Sequence, residues 1–120
     1  TMGDGWETRR RREPGNDWII IKLATRGLIK KIEIDTAHFK GNYPDQASVQ
    51  VSNFDKNIVL EEVINDSHNW NYILDKSKLQ ADNIHNYEVN DTSIKDVTHV
   101  RLNIYPDGGV SRLRIFGLKL

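Results

Sequence analysis

The sequence predicts an all-β domain, an antiparallel sandwich or barrel. Three observations predict it. Short runs rich in β-branched and aromatic residues recur along the chain, several with strict apolar–polar alternation. Clusters of glycine, proline, asparagine and aspartate separate them. No βαβ rhythm and no long amphipathic helical stripe interrupts the series.

The opening 17 residues, "TMGDGWETRRRREPGND", are polar and glycine-punctuated. They read as a loop or a loosely paired edge, with Pro14-Gly15 as a turn. "DWIIIKLA" (17–24) is short and β-branched, so it reads as a strand buried on both faces near Ile19–Ile21. Arg26-Gly27 turns the chain. "LIKKIEID" (28–35) then alternates, with Ile32 and Ile34 on one side and Lys31, Glu33 and Asp35 on the other. "HFKGNYPD" (38–45) is a loop by composition.

"ASVQVS" (47–52) alternates again, with Val49 and Val51 inward. "NIVLEEVI" (57–64) fits a strand or a short helix, and periodicity does not separate them. "WNYILD" (70–75) reads as a strand, "DKSKLQADNIHN" (75–86) as loop, and "YEV" (87–89) as a short strand. "THVRLNIY" (98–105) and "SRLRIFGLKL" (111–120) are the clearest strands. The whole chain, 1–120, reads as one domain.

The last two strands carry the sharpest chemical pattern. If Pro106-Asp107-Gly108-Gly109 closes a hairpin, Tyr105 faces Val110, Leu102 meets Leu113 and Val100 meets Ile115. The opposite face then sets Arg101 across from Arg114, Asn103 across from Arg112, and His99 across from Phe116. Like charges directly opposite are unfavourable without an anion between them. A carboxylate answers that, because guanidinium binds it through two parallel hydrogen bonds. Nearby Glu or Asp side chains answer it too, and then the face is only a solvated surface.

The balance of 17 lysines and arginines against 17 aspartates and glutamates leaves no net charge. That argues against a general nucleic-acid or acidic-membrane binder. Arg9–Arg12 form a basic run, but few aromatics interleave with it. The absence of cysteine excludes disulfides, thiolate metal sites and thiol nucleophiles. No apolar run approaches the roughly 20 residues of a membrane span. The first residue is Thr1, read as the start of a fragment or a processed chain.

"EIDTAHFKGN" (33–42) puts Asp35 at a strand end, then His38, Lys40 and Asn42. A carboxylate and an imidazole at such a corner suit a base and an acid. They equally suit two ligands of a divalent metal. The plainer reading is a loop cap by Asp35 and an exposed histidine. Trp6 beside Glu7 reads as an anchor and a polar group near a site or a subunit contact. His68 and His85 read as surface residues.

Together, "MGDGWETRRRR", "DW", "IDTAHFKGNYP" and "HVRLNIYPDGGVSRLRIFG" closely resemble the repeat unit of the allantoicase family. The match runs in order from Met2 to Gly117, weakest between about Asn53 and Val97. The resemblance implies a jelly-roll β-sandwich of the galactose-binding type. It also implies two tandem repeats in a chain roughly double this one, with this chain more like the second. The implied reaction is hydrolysis of allantoate to ureidoglycolate and urea, in purine breakdown.

For that reaction His38 and Asp35 are the candidate acid–base pair, or metal ligands, and Glu7 is a second candidate base. Arg101, Arg112 and Arg114 are candidates for the carboxylate. Lys40, Asn42, Asn103 and Trp6 are candidates for the ureido groups. Whether a divalent metal takes part is left open by the residues. The resemblance implies a homo-oligomer with no nucleic-acid or membrane partner. The ending "GLKL" is no peroxisomal address, so cytoplasm is the expected location. The competing expectation is a non-catalytic module that binds a small ligand or carbohydrate.

Overall fold

The computed structural model describes residues 3–7 by their backbone, and residues 16–91 and 93–119 with their side chains. The strands in chain order are β1 (Gly3–Glu7), β2 (Asp17–Asp35), β3 (Gln46–Ser52), β4 (Asn71–Lys78), β5 (Ile84–Glu88), β6 (Val97–Tyr105) and β7 (Gly109–Lys119). A short helix, α1 (Leu60–Asn65), and a 3₁₀ turn (Ser67–Asn69) lie between β3 and β4.

The strands form an antiparallel jelly-roll sandwich, and β2 is the strand that belongs to both layers. Its first part pairs with β6, which continues through β3 to β4. Its second part pairs with β7 on one side and β5 on the other, and β7 leads out to β1. The change of partner falls at Gly27, which pairs with both Val97 and Lys119. The expected turn at Arg26-Gly27 is therefore a bend inside one continuous 19-residue strand. A Cβ at Gly27 would stand 2.2 Å from the Leu118 carbonyl oxygen, so the crossing requires glycine.

Alternation explains the core. Val100, Leu102 and Ile104 of β6, Ala47, Val49 and Val51 of β3, Ile32 and Ile34 of β2, and Leu113 of β7 are all fully or almost fully buried. Burying each of the larger aliphatic side chains contributes about 1.5–3 kcal/mol. The alternate positions point outward, which is where the polar chemistry sits.

The β6–β7 hairpin expected from the sequence does not form. β6 is flanked by β2 and β3, and β7 by β1 and β2. Residues 106–108 carry the chain from one layer to the other. Leu102 and Leu113 therefore line a common core from separate layers instead of standing side by side. Alternation reports which residues face inward, and it is the same whether two strands pair or oppose each other across a core.

Other boundaries also shift. Residues 57–64 resolve as helix from Leu60, with Glu61 and Glu62 in the first turn, where acidic side chains suit the helix dipole. Only Val63 of that helix is buried, so one face is all it needs to cover. β4 begins at Asn71 and extends to Lys78, and β5 begins at Ile84, so the expected loop is confined to residues 79–83.

Candidate functional site

The bend in β2 brings both ends of that strand to the same end of the sandwich. Asp17 pairs with Ile104 near the close of β6, and Asp35 pairs with Arg112 near the start of β7. Three loops meet there: 36–45, 79–83 and 106–108. The Gly109 N–H donates to the Asn42 carbonyl at 2.7 Å, and the Asp82 N–H to the Phe39 carbonyl at 3.0 Å. The Thr36 hydroxyl donates to the Gln80 carbonyl at 2.7 Å. A Cβ at Gly109 would stand 2.1 Å from the Phe39 ring, so the loops close without room for a side chain. β1 ends here as well, with Glu7 opposite Gly109 and Trp6 opposite Val110 in the register.

At this end Asp35 accepts the Ala37 N–H at 2.7 Å through Oδ1, which caps the strand end. His38 is exposed, has a positive φ of 73°, and donates its backbone N–H to Asp82 Oδ1 at 2.7 Å. Lys40 and Asn42 are exposed in the same loop. His85 is not a plain surface residue. Its Nδ1 lies 2.9 Å from the Ile34 carbonyl oxygen, and its Nε2 accepts the Gln80 N–H at 2.8 Å. That pattern requires the neutral tautomer with the proton on Nδ1. The ring ties residues 79–83 to β2, and so steadies the loop that holds His38.

A second group occupies the outer face of the first layer. Arg101 is 7% exposed, and its guanidinium lies 4.4 Å from the centre of the Trp18 ring. Its Nε donates to Asn103 Oδ1 at 2.8 Å and its Nη1 to Ser67 Oγ at 2.5 Å. Asn103 Nδ2 donates to Gln50 Oε1 at 2.9 Å and to Ser48 Oγ at 3.2 Å. Gln50 Nε2 in turn donates to the His68 and Trp70 carbonyls, both at 2.9 Å. Burial pushes the Arg101 guanidinium below its ordinary value, and Tyr72 and Tyr105 oppose that. An arginine still stays charged. Among the described residues no carboxylate pairs with it.

The three arginines do not share a face. Arg101 and Asn103 point outward from the first layer, and Arg112 and Arg114 belong to the second. Arg114 Nη1 lies 3.2 Å from Glu33 Oε2, so the expected surface carboxylate is a largely buried partner in an ion pair. Arg112 is exposed and stands opposite Asp35. The single arginine surface was a consequence of the hairpin, and it fails with the hairpin. The structure instead makes two groupings: Arg101 with Asn103, and Asp35 with His38, Lys40, Asn42 and Arg112 near the loop end. The side chains of Trp6 and Glu7, and all of Arg9–Arg12, lie outside the described residues.

Sequence reasoning missed Trp18, Gln50, Ser48 and Ser67. Gln50 and Ser48 were legible as the polar positions of "ASVQVS", and Trp18 as the aromatic of "DW". Nothing local marks Ser67, which arrives on the 3₁₀ turn. Among the described residues no three His, Cys, Asp or Glu side chains gather in a way that would hold a metal ion. No helix among them is long and apolar enough to cross a membrane.

The family model of the allantoicase repeat matches residues 1–120. A probable allantoicase of Burkholderia mallei is 55% identical over 120 residues, covering 97% of this chain and 34% of that protein. The crystal structure of allantoicase from Saccharomyces cerevisiae is 40% identical, with a TM-score of 0.77, over 95% of this chain and 31% of that one. A structure produced by Clostridium perfringens, 17% identical with a TM-score of 0.59, covers 95% of this chain and 76% of that one, and it speaks to the fold alone. The chain spans about a third of the length of the curated relatives it matches. That corrects the expectation of a chain roughly double this one.

Proposed function

The chain belongs to the allantoicase repeat family, and on that premise we propose that it forms part of an allantoicase that hydrolyses allantoate to ureidoglycolate and urea. The observation that carries the reading is Arg101. A charged guanidinium taken out of water is costly unless it is paired. Here it has neutral hydrogen-bond partners and an aromatic face, but no carboxylate among the described residues. An anionic substrate supplies the missing charge, and allantoate carries one carboxylate.

The reaction divides into two steps. A general acid protonates the nitrogen of one ureido arm, the carbon–nitrogen bond breaks, and urea leaves with the electron pair. Water then adds to the imine-like carbon while a base takes its proton. In this reading Arg101 holds the carboxylate and Asn103 supports it. His38 is the acid and Asp35 the base, with Glu7 as the second candidate base. Arg112, opposite Asp35, steadies that charge, and Lys40, Asn42 and Trp6 orient the ureido groups. Arg114 serves Glu33 and supports the second layer.

The two groupings stand on different surfaces of this chain. One small substrate therefore meets Arg101 of one copy of the fold and the Asp35–His38 corner of another, supplied by a second tandem repeat in a longer chain or by another subunit of a homo-oligomer. Cytoplasm is the location in this reading, with neither nucleic acid nor membrane as partner.

Urea release from allantoate by the longer protein tests the reading. Asp35→Asn keeps an oxygen for the Ala37 N–H while removing the charge, so it separates chemistry from folding. The expected result is loss of turnover in Asp35→Asn with an unchanged melting temperature. Ligand binding without urea release would instead mark a non-catalytic module.

A further inference from the structure

The outer face of the first layer carries a cavity that the proposed reaction does not use. Its volume is about 650 Å³. It opens where β2 nears its bend and residues 54–58 pass over it. Leu23, Phe54 and Ile58 give it apolar walls. Lys22, Arg26 and Lys56 bring three cations to the lining, against one carboxylate, Asp55. The lining is therefore net positive by two charges, on a chain whose formal charge is zero.

Two lining rings, Phe54 and His99, form the floor, and Trp70 packs against both. The centres of Phe54 and His99 are 5.4 Å apart, of Phe54 and Trp70 5.7 Å, and of Trp70 and His99 6.4 Å. His99 is 6% exposed and lines the cavity. Its Nδ1 lies 2.8 Å from Thr98 Oγ1, and among the described residues its Nε2 makes no hydrogen bond. Burial first, and the Lys22 charge second, hold its imidazole below the ordinary histidine value. It is a neutral ring near pH 7, able to meet a polar ligand atom without adding charge. Arg26 donates from Nη2 to the Phe54 carbonyl at 3.3 Å, which holds its guanidinium at the rim above that floor.

We propose that this cavity binds a small organic carboxylate with an apolar body. The carboxylate takes the cations Lys22, Arg26 and Lys56, and the body rests on Phe54, Leu23 and Ile58. His99 Nε2 meets a polar group of the ligand. Aromatic walls give an apolar body contact area that a bare anion cannot use. The site is independent of the hydrolytic reading, since none of its lining residues takes part in it.

Benzoate is the probe, titrated into the purified protein while the resonances of His99, Lys22 and Lys56 are followed by NMR. Acetate supplies the charge without the body, and benzyl alcohol the body without the charge. Saturable shifts with benzoate are expected, with both comparison compounds roughly tenfold weaker or more. Lys22→Glu and Lys56→Glu should each weaken benzoate by roughly tenfold while leaving the fold intact, because both side chains are exposed. Lys56→Glu should leave urea release from allantoate by the longer protein unchanged. Absence of saturable shifts, equal binding of acetate and benzoate, or benzoate binding indifferent to both substitutions would each overturn the assignment.

Discussion

The Arg101 guanidinium lies 4.4 Å from the centre of the Trp18 ring while its N–H groups donate to Asn103 and Ser67. Trp18 itself is 43% exposed, so its ring covers the charge more than it fills a core. Trp18→Ala should cost about 1–2 kcal/mol, the range of a partly desolvated cation–π contact. Trp18→Phe should recover part of that loss. Urea denaturation midpoints of the three proteins check the ordering. Equal midpoints would mean that the stacking contributes nothing.

His38 carries a side chain on backbone with φ of 73°, a conformation that favours glycine. His38→Gly should therefore match or exceed the parent in stability, by up to about 1 kcal/mol. His38→Ala should lose about 1 kcal/mol relative to His38→Gly. If His38 is the acid of the proposed reaction, both variants lose turnover although their stabilities differ. Full activity in the glycine variant would remove His38 from the chemistry.

Glu33 and Arg114 test whether the second-layer ion pair is structural. Arg114→Leu leaves a mostly buried carboxylate without its cation and should cost about 2–4 kcal/mol. Glu33→Gln combined with Arg114→Leu should be less damaging than Arg114→Leu alone, since no unpaired charge remains. Thermal melts of the two variants provide the comparison. A double variant worse than the single would show that the pair does not act as a unit.

His99 makes a pH prediction with a definite sign. Its value in the folded protein lies below the ordinary 6.5 because of burial and Lys22. As pH falls through 6.5, the unfolded chain takes a proton that folded His99 refuses. Stability therefore drops between 6.5 and the lower folded value, and is unaffected by this group above 6.5. His99→Gln should flatten that part of the stability–pH curve. An identical slope in parent and variant between pH 5 and 7, measured by denaturation over about that range, would contradict the assignment.

The inward faces of β2, β3, β6 and β7 were legible because their alternation is strict. Ile32, Ile34, Val49 and Val51 fall where the pattern puts them. Strand pairing was not legible, because Leu102 and Leu113 look the same to a pattern whether they are neighbours or lie across a core. That ambiguity produced the shared arginine face. The corner at Asp35 and His38 was visible as residue types, and its cap on Ala37 as the plainer alternative. The Arg101 network was half visible: Asn103 was named, while Ser67 comes from a segment 34 residues earlier that no local signal links to it. His85 was misread because its two partners, Ile34 and Gln80, are backbone groups that sequence does not mark.

The most direct measurement is urea release from allantoate by the longer protein, parent against Arg101→Leu and Arg101→Lys, with melting temperatures taken alongside. A folded leucine variant that releases urea at less than about a hundredth of the parent rate, with the lysine variant intermediate, is the predicted outcome. Parent-like urea release by a folded Arg101→Leu protein would contradict the account, because the buried positive charge would then have no part in holding the substrate.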